Sequence, residues 1–106
     1  MAALLVDCLP EFSDELRSLS LQARRPDIAE QIGLMQLVDR CRCGDDFCAT
    51  FYTGPRPEDS YGPNHENVEL PAGEGMIILD LVDGRVQCVE VLYRDEIRSR
   101  LKTLLP

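Results

Sequence analysis

The sequence has no tryptophan, one histidine and few aromatic residues, which make up 6% of its 106 positions. It also lacks any apolar run near the ~20 residues that a membrane-spanning helix requires. Residues 1–9 have no basic leading region, and Asp7 interrupts their apolar stretch, so a secretory signal is not expected. These absences predict a cytoplasmic protein that does not associate with membranes.

Basic residues are also scarce, with 11 lysines and arginines against 19 aspartates and glutamates and a formal net charge of −8. Such a charge repels a phosphate backbone unless the basic residues gather on one face. Here they stand near the ends of predicted helices, where they complement the helix dipole. We therefore expect no nucleic-acid binding, an interaction with another protein, and a chain that is a monomer or a homodimer.

The five cysteines are an odd number, and the chain is long enough to fold without disulfides. Free thiols in a reducing compartment are therefore expected. Apolar residues make up 44% of the sequence and fall in separated runs, as in one small globular core. The sequence predicts a single domain over residues 1–106.

Helical patterns stand at both ends of the chain. Apolar residues at helical spacing predict a first helix over residues 10–24 that begins at Pro10. Asp27 and Glu30 resemble a capping pair for a short second helix after Pro26, which ends at Gly33. A C-terminal amphipathic helix that begins at residue 94 or 95 is predicted to pack on a sheet.

Two hairpins are predicted between these helices. The first joins LMQLVDRCRC to FCATFYT through a turn at Gly44, Asp45 and Asp46. The second joins residues 76–82 to residues 85–93 through Asp83-Gly84, a dipeptide that tolerates the positive φ angles of a tight turn. The fold class is therefore α+β, with an antiparallel sheet of about four to five strands, N-terminal helices and a C-terminal helix.

A regular second hairpin would fix its register. Counting back from the turn pairs Val82 with Arg85 and Leu81 with Val86, and then Leu79 with Cys88 and Ile77 with Glu90. One face of the hairpin would then carry Leu81, Leu79, Ile77, Val86, Cys88 and Leu92. The other face is apolar only at its base, which predicts helices over at least part of one face.

A long connection over residues 54–75 holds four prolines and four glycines in 22 residues, and only residues 66–70 are typical of a strand. Long loops in compact domains are uncommon and often functional. Tyr61, Asn64 and His65 are therefore candidate binding residues. The alternative is a connection that the prolines merely order.

The segment CRCGDDFC is the one cluster of residues that could bind a metal or carry out a reaction, and three hypotheses account for it. A strand would place Cys41 and Cys43 on one face, and a turn over residues 44–47 would bring Cys48 opposite Cys43. Three thiolates with His65 or another cysteine as a fourth ligand would form a zinc site. A reactive thiol paired with His65 would support redox or nucleophilic chemistry. Otherwise Cys41, Cys43, Cys48 and Cys88 are buried apolar residues that need no cofactor and have no catalytic role.

At VDRCRCGDDFCATFYT and VDGRVQCVEVLYRDEI the chain resembles short bacterial proteins of about this length, to which no activity is assigned. The resemblance implies a bacterial, cytoplasmic, single-domain protein, and it transfers no catalytic or binding residue. We expect a small non-enzymatic interaction or regulatory domain. The alternatives are a zinc-binding module at Cys41, Cys43 and Cys48, or a thiol redox protein.

Overall fold

The computed structural model describes residues 3–106, and these residues form four α-helices, one turn of 3-10 helix and seven β-strands. The α+β prediction is confirmed. The elements in chain order are β1 (Ala3–Leu4), α1 (Leu5–Cys8), α2 (Pro10–Gln22), α3 (Pro26–Gln31), the 3-10 turn (Ile32–Leu34), β2 (Gln36–Leu37), β3 (Asp39–Arg40), β4 (Phe51–Tyr52), β5 (His65–Leu70), β6 (Met76–Val82), β7 (Arg85–Leu92) and α4 (Asp95–Leu104).

All strand pairs are antiparallel, and five strands form the main sheet in the order β3-β4-β7-β6-β5. β1 and β2 form a separate two-stranded sheet, which the sequence analysis did not anticipate because two-residue strands carry no alternation. β5 completes the main sheet and pairs along six residues with β6. The strand pattern within the long connection therefore predicted a real sheet edge.

The helix predicted over residues 10–24 is α2, which begins at Pro10 as expected and ends at Gln22. Arg24 follows it with φ of 60°, a left-handed conformation that typically terminates helices. The predicted capping pair for α3 is wrong: Pro26 already occupies the first turn, the N-cap is Arg25, and no side chain caps the helix. Asp27 instead accepts hydrogen bonds from the Arg25 guanidinium at 3.0 and 2.9 Å.

The second hairpin forms at Asp83-Gly84 as predicted, but its register is wrong beyond two pairs. Val82 faces Arg85 and Leu81 faces Val86, after which Gln87 is an extra residue and Asp80 faces Cys88. The two residues that follow β4 stabilise this β-bulge. The amides of Thr53 and Gly54 both donate hydrogen bonds to the Gln87 carbonyl, at 2.9 and 3.2 Å.

The bulge moves residues between the two faces of the sheet. Leu79 pairs with Val89 rather than with Cys88, and Ile77 pairs with Val91 rather than with Glu90. Paired residues share a face, so Val89 and Val91 join the core and are fully buried. Cys88 moves to the opposite face.

The first hairpin is much shorter than predicted. β3 and β4 share two residue pairs, Asp39 with Tyr52 and Arg40 with Phe51, and a ten-residue connection over residues 41–50 joins them. The predicted strand FCATFYT is extended, but it runs mainly beside β7. Hydrogen bonds between this segment and the β7 region begin at the Phe47 carbonyl, which accepts the Tyr93 amide at 2.8 Å. They end at the Thr53 amide, which donates to the Gln87 carbonyl at 2.9 Å.

The hydrophobic core lies between the helices and one face of the main sheet. Helical residues such as Leu16, Ile28 and Leu101 pack in one cluster with Ile77 and Val89 of the central strands. α4 packs there through Ile97 and Leu101, as the predicted amphipathic helix should. The side of the main sheet that the helices cover is its inner face, and the side that carries Tyr52, Asp80, Cys88 and Glu90 is its outer face.

One buried arginine joins the two ends of the chain on the inner side. Arg94 binds both Glu15 carboxylate oxygens of α2 at 2.8 Å and Glu96 at 2.6 Å, and it lies over the Phe12 ring. A buried guanidinium requires this degree of pairing, because an unpaired one would lose its hydration without compensation. Arg94 therefore has a structural explanation.

Candidate metal centre

The three clustered cysteines converge at the end of the outer face where the first hairpin opens. The sulfur atoms of Cys41, Cys43 and Cys48 all lie within 4.8 Å of one another. Gly44 adopts φ of 85°, and the Cys48 amide donates to the Asp45 carbonyl at 3.2 Å. This turn folds Cys48 back toward the other two cysteines.

The convergence was predicted, but the route to it was wrong. Cys48 does not face Cys43 in a strand ladder; it forms an isolated bridge with Leu92 at the end of β7. Only Cys41 continues the β3–β4 pairing, through its amide and the Thr50 carbonyl at 2.9 Å. The loop therefore has the freedom to bring its sulfurs together, which alternate residues of a regular strand lack.

The expectation that the cysteines are buried apolar residues is wrong for the cluster and confirmed for Cys88. Cys43 is exposed, and Cys41 and Cys48 are half-buried, whereas Cys88 is buried. Free cysteines are usually among the most buried residues, and three exposed or half-buried sulfurs in one place are not explained by packing. All five cysteines are free thiols.

Burial and contacts within the cluster shift the pKa values of Cys41 and Cys48 in opposite directions. Burial raises the pKa of Cys41 to about 11; a hydrogen bond from the Cys43 backbone opposes this increase, and the side chains of Cys43 and Cys48 add to it. Burial also opposes ionisation of Cys48, but hydrogen bonds from Thr50, and then from Cys43 and Cys41, lower its pKa below the ordinary value. The Cys48 thiolate is thus stabilised while that of Cys41 is disfavoured, as expected for donors that need a cation to ionise together.

A cavity of about 280 Å³ opens over the sulfurs, and four of its eleven lining residues are basic. Arg40 and Arg42 come from the hairpin, and Arg98 and Lys102 come from α4. Asp45 is the one acidic residue in this lining. In a chain with a net charge of −8, this grouping makes the cavity a local region of positive charge, which favours thiolates.

His65, one of the two predicted alternatives for the fourth ligand, lies elsewhere on the outer face. Its Nε2 atom is 2.8 Å from the Asp80 carboxylate, and its ring packs on Tyr61 at 5.0 Å between centroids. Asp80 is an acceptor when ionised, so Nε2 carries the proton in this pair. Among residues 3–106, the group of converging ligand atoms contains the three cysteines and not His65.

The other predicted loop residues separate into two roles. Tyr61 is half-buried over the outer face, where burial and then the neighbouring Cys88 raise its pKa above the ordinary value. Asn64 is exposed with φ of 66°, and its carbonyl accepts the Asp83 amide at 3.2 Å. The structure therefore brings Tyr61 and His65 together and places Asn64 in a turn.

Two acidic residues of the outer face were missed by the sequence analysis. Burial opposes ionisation of Asp80, but hydrogen bonds from Glu90, His65 and Asn67 outweigh it and lower its pKa. The hydrogen bond to Asp80, with burial second, raises the pKa of Glu90 to about 7. The signal was an aspartate within an apolar strand, but only the bulged register places Asp80 close to Glu90.

Asp80 and Glu90 line one broad cavity of about 540 Å³ together with two of the three clustered cysteines. Its lining runs from Cys41 and Cys48 past Tyr52 and Cys88 to Asp80 and Glu90, with the loop at residues 56–61 along its side. Cys88 is a poor nucleophile here, because burial, with Asp80 and Glu90 adding to it, raises its pKa to about 12. The converging cysteines are therefore the best candidates for chemistry in this cavity.

Comparison of the chain with protein-family models, with curated proteins and with solved structures found no match. Within residues 3–106, no helix combines the length and the apolar composition needed to cross a membrane. What supports a function for this protein is therefore the geometry and chemistry of its own residues.

Proposed function

We propose that this protein is a metal-binding domain that holds a thiophilic ion, zinc in the first instance, through Cys41, Cys43 and Cys48. The single observation that carries the proposal is the convergence of the three sulfurs within 4.8 Å. Tetrahedral zinc places its sulfur ligands about 3.8 Å apart, given Zn–S bonds of ~2.3 Å. The loop therefore needs only small side-chain movements to close on the ion.

The position of the cluster supports a bound ion that is not required for the fold. The three cysteines lie outside the hydrophobic core, and they belong to a connection rather than to a long strand. Zinc fingers unfold without metal because they have no other core, whereas this domain has a hydrophobic core that contains none of the three cysteines. Five free thiols also fit a reducing compartment such as the cytoplasm.

The direct test is zinc stoichiometry measured by native mass spectrometry, with cobalt absorption as a second readout. We expect one ion per chain in the wild type and loss of at least about tenfold in affinity when any of the three cysteines is replaced by serine. Cys8→Ala is the matched control, because it removes a thiol from the core cluster. A wild type that takes up no zinc or cobalt would refute the proposal.

A second candidate function is protein binding, as expected from the sequence, and it is supported by an exposed aliphatic patch. Leu34 is 81% exposed and Val38 is 45% exposed, and both line a broad cavity that also contains Pro55. Exposed apolar patches of this kind mark interaction sites. Replacing all three clustered cysteines should spare this interaction, whereas L34E/V38E should abolish it.

Sedimentation over a range of concentrations tests the case in which the partner is a second copy of the chain. We expect the wild type to dimerise and L34E/V38E to remain monomeric. A wild type that is monomeric at every concentration would exclude a homodimer through this patch.

A further inference from the structure

Three cysteine ligands leave a metal ion with an open coordination position. Among residues 3–106, no fourth cysteine, histidine or carboxylate has a ligand atom that joins the group within 4.8 Å. Structural zinc sites usually have four protein ligands, and sites with three keep the fourth position for water or a substrate. The cavity of about 280 Å³ over the sulfurs gives access to that position.

Two cations of α4 line the same cavity and form no ion pair among residues 3–106. Arg98 and Lys102 are four residues apart, so they lie on one side of the helix, and both line the cavity with the three cysteines. Within the described part of the chain, neither forms an ion pair with a carboxylate. A protein with a net charge of −8 has many carboxylates that could have paired with them.

The other two arginines of the cavity, Arg40 and Arg42, already donate hydrogen bonds to groups of the chain. Arg40 donates from Nε to the Leu105 carbonyl at 2.6 Å. Arg42 donates to Asp39 at 3.1 Å and to the Pro106 carbonyl at 3.2 Å. Arg40 and Arg42 therefore use part of their hydrogen-bonding capacity within the chain, whereas among residues 3–106 Arg98 and Lys102 keep all of their side-chain donors for a ligand.

The metal site and the two cations of α4 favour different groups of a ligand, one that binds the metal and one that binds the cations. A thiophilic ion with three thiolates favours sulfur as a further donor, and an arginine beside a lysine favours a carboxylate. Such an ion with three thiolates carries a net negative charge, so a further anion is accepted only where cations compensate for it. The cavity is close to the lower end of ligand-site volumes, ~300 Å³, which limits the ligand to a few non-hydrogen atoms.

We propose that the metal centre binds a small thiol that carries a carboxylate, with the sulfur on the metal and the carboxylate on Arg98 and Lys102. This inference rests on the proposed metal site. The ligand exchanges with metal-bound water and transfers its thiol proton to solvent, so no oxidant or reductant is needed. The site is thereby an acceptor for small anionic thiols rather than a closed structural centre.

The test uses the cobalt-loaded protein, whose visible absorption bands report on the fourth ligand. Mercaptoacetate and mercaptoethanol are the probes, because they are similar in size and only the first carries a carboxylate. We expect the wild type to bind mercaptoacetate about tenfold more tightly. R98Q/K102Q should lose this preference while it keeps one cobalt per chain.

Arg100→Gln is the matched control, because Arg100 lies on the same helix but lines a different groove beside Phe12. It should retain the preference for mercaptoacetate. Equal affinity of the wild type for both probes, an unchanged preference in R98Q/K102Q, or release of cobalt to the probe would each overturn the inference. Absence of cobalt–thiolate absorption before any probe is added would instead refute the metal site itself.

Discussion

The two hairpins of this protein differ in the length of the connection that joins their antiparallel strands. β6 and β7 are joined by two residues, Asp83 and Gly84, and remain paired from Met76–Leu92 to Val82–Arg85. β3 and β4 share two pairs and are joined by ten residues that carry the cysteine cluster. A tight turn fixes register and leaves little freedom, whereas a long connection can arrange side chains around a ligand.

The largest expected effect tests whether the bulge sets the register of the tight hairpin. Deleting Glu90 should reverse the faces of Val91 and Leu92 and cost about 4 kcal/mol or more, which is enough to unfold a small domain. Deleting Gln87 removes only the extra residue and should cost about 2 kcal/mol for its two hydrogen bonds. Urea unfolding monitored by circular dichroism measures both, and equal losses would contradict the assigned bulge.

The next effect compares two glycines of the same hairpin. Gly75 has φ of 66°, and a Cβ there would collide with the Leu92 carbonyl, whereas Gly84 has φ of 79° and open space around it. G75A should therefore lower the free energy of unfolding by about 3 kcal/mol, and G84A by about 1 kcal/mol. If thermal unfolding gave the same cost for both, the close approach at Gly75 would be refuted.

Metal binding should slow amide hydrogen exchange in the long connection of the first hairpin. At a zinc concentration of 100 times the dissociation constant, binding contributes about 2.7 kcal/mol, so amides of residues 41–50 should exchange with deuterium about a hundredfold more slowly. Amides near the tip of the β6–β7 hairpin should change little. Uniform protection across both hairpins would indicate a global rather than a local effect of the ion.

The smallest effect concerns the outer face of the tight hairpin and depends on pH. The pKa of Glu90 is raised to about 7 from an ordinary value of 4.5, so the folded protein binds the proton more tightly than the unfolded chain. The resulting stability is fully present below pH ~4.5 and is lost as pH rises through ~7.

Between pH ~5 and ~8 the wild type should therefore lose about 1 to 2 kcal/mol more than E90Q, after allowance for solvent screening. The lowered pKa of Asp80 acts in the opposite direction, since its stabilising effect is lost as pH falls below about 3.8. Urea titrations of both proteins at the two pH values measure the difference. Parallel pH profiles would show that Glu90 and Asp80 do not share a proton.

The sequence predicted those features that local chemistry determines. Asp83-Gly84 located a turn, Pro10 located a helix start, and the spacing of Cys41, Cys43 and Cys48 indicated a common patch. The bulge at Gln87 was not predictable, because its carbonyl is stabilised by amides of a distant segment. The Asp80–Glu90 pair follows from that same bulge. The displacement of His65 from the cysteines follows instead from the strand order, which places β5 and β3 at opposite edges of the sheet.

The strand order also constrains when the sheet can form during synthesis. β7 lies between β4 and β6, yet it is translated after every other strand of the sheet. Phe51 of β4 therefore has no β7 partner until residues 85–92 have left the ribosome, and pairings over such sequence distances are slow to close. The cysteine loop is synthesised well before this step, so a nascent chain exposes its three thiols to metal and to oxidants before the sheet can fix their geometry.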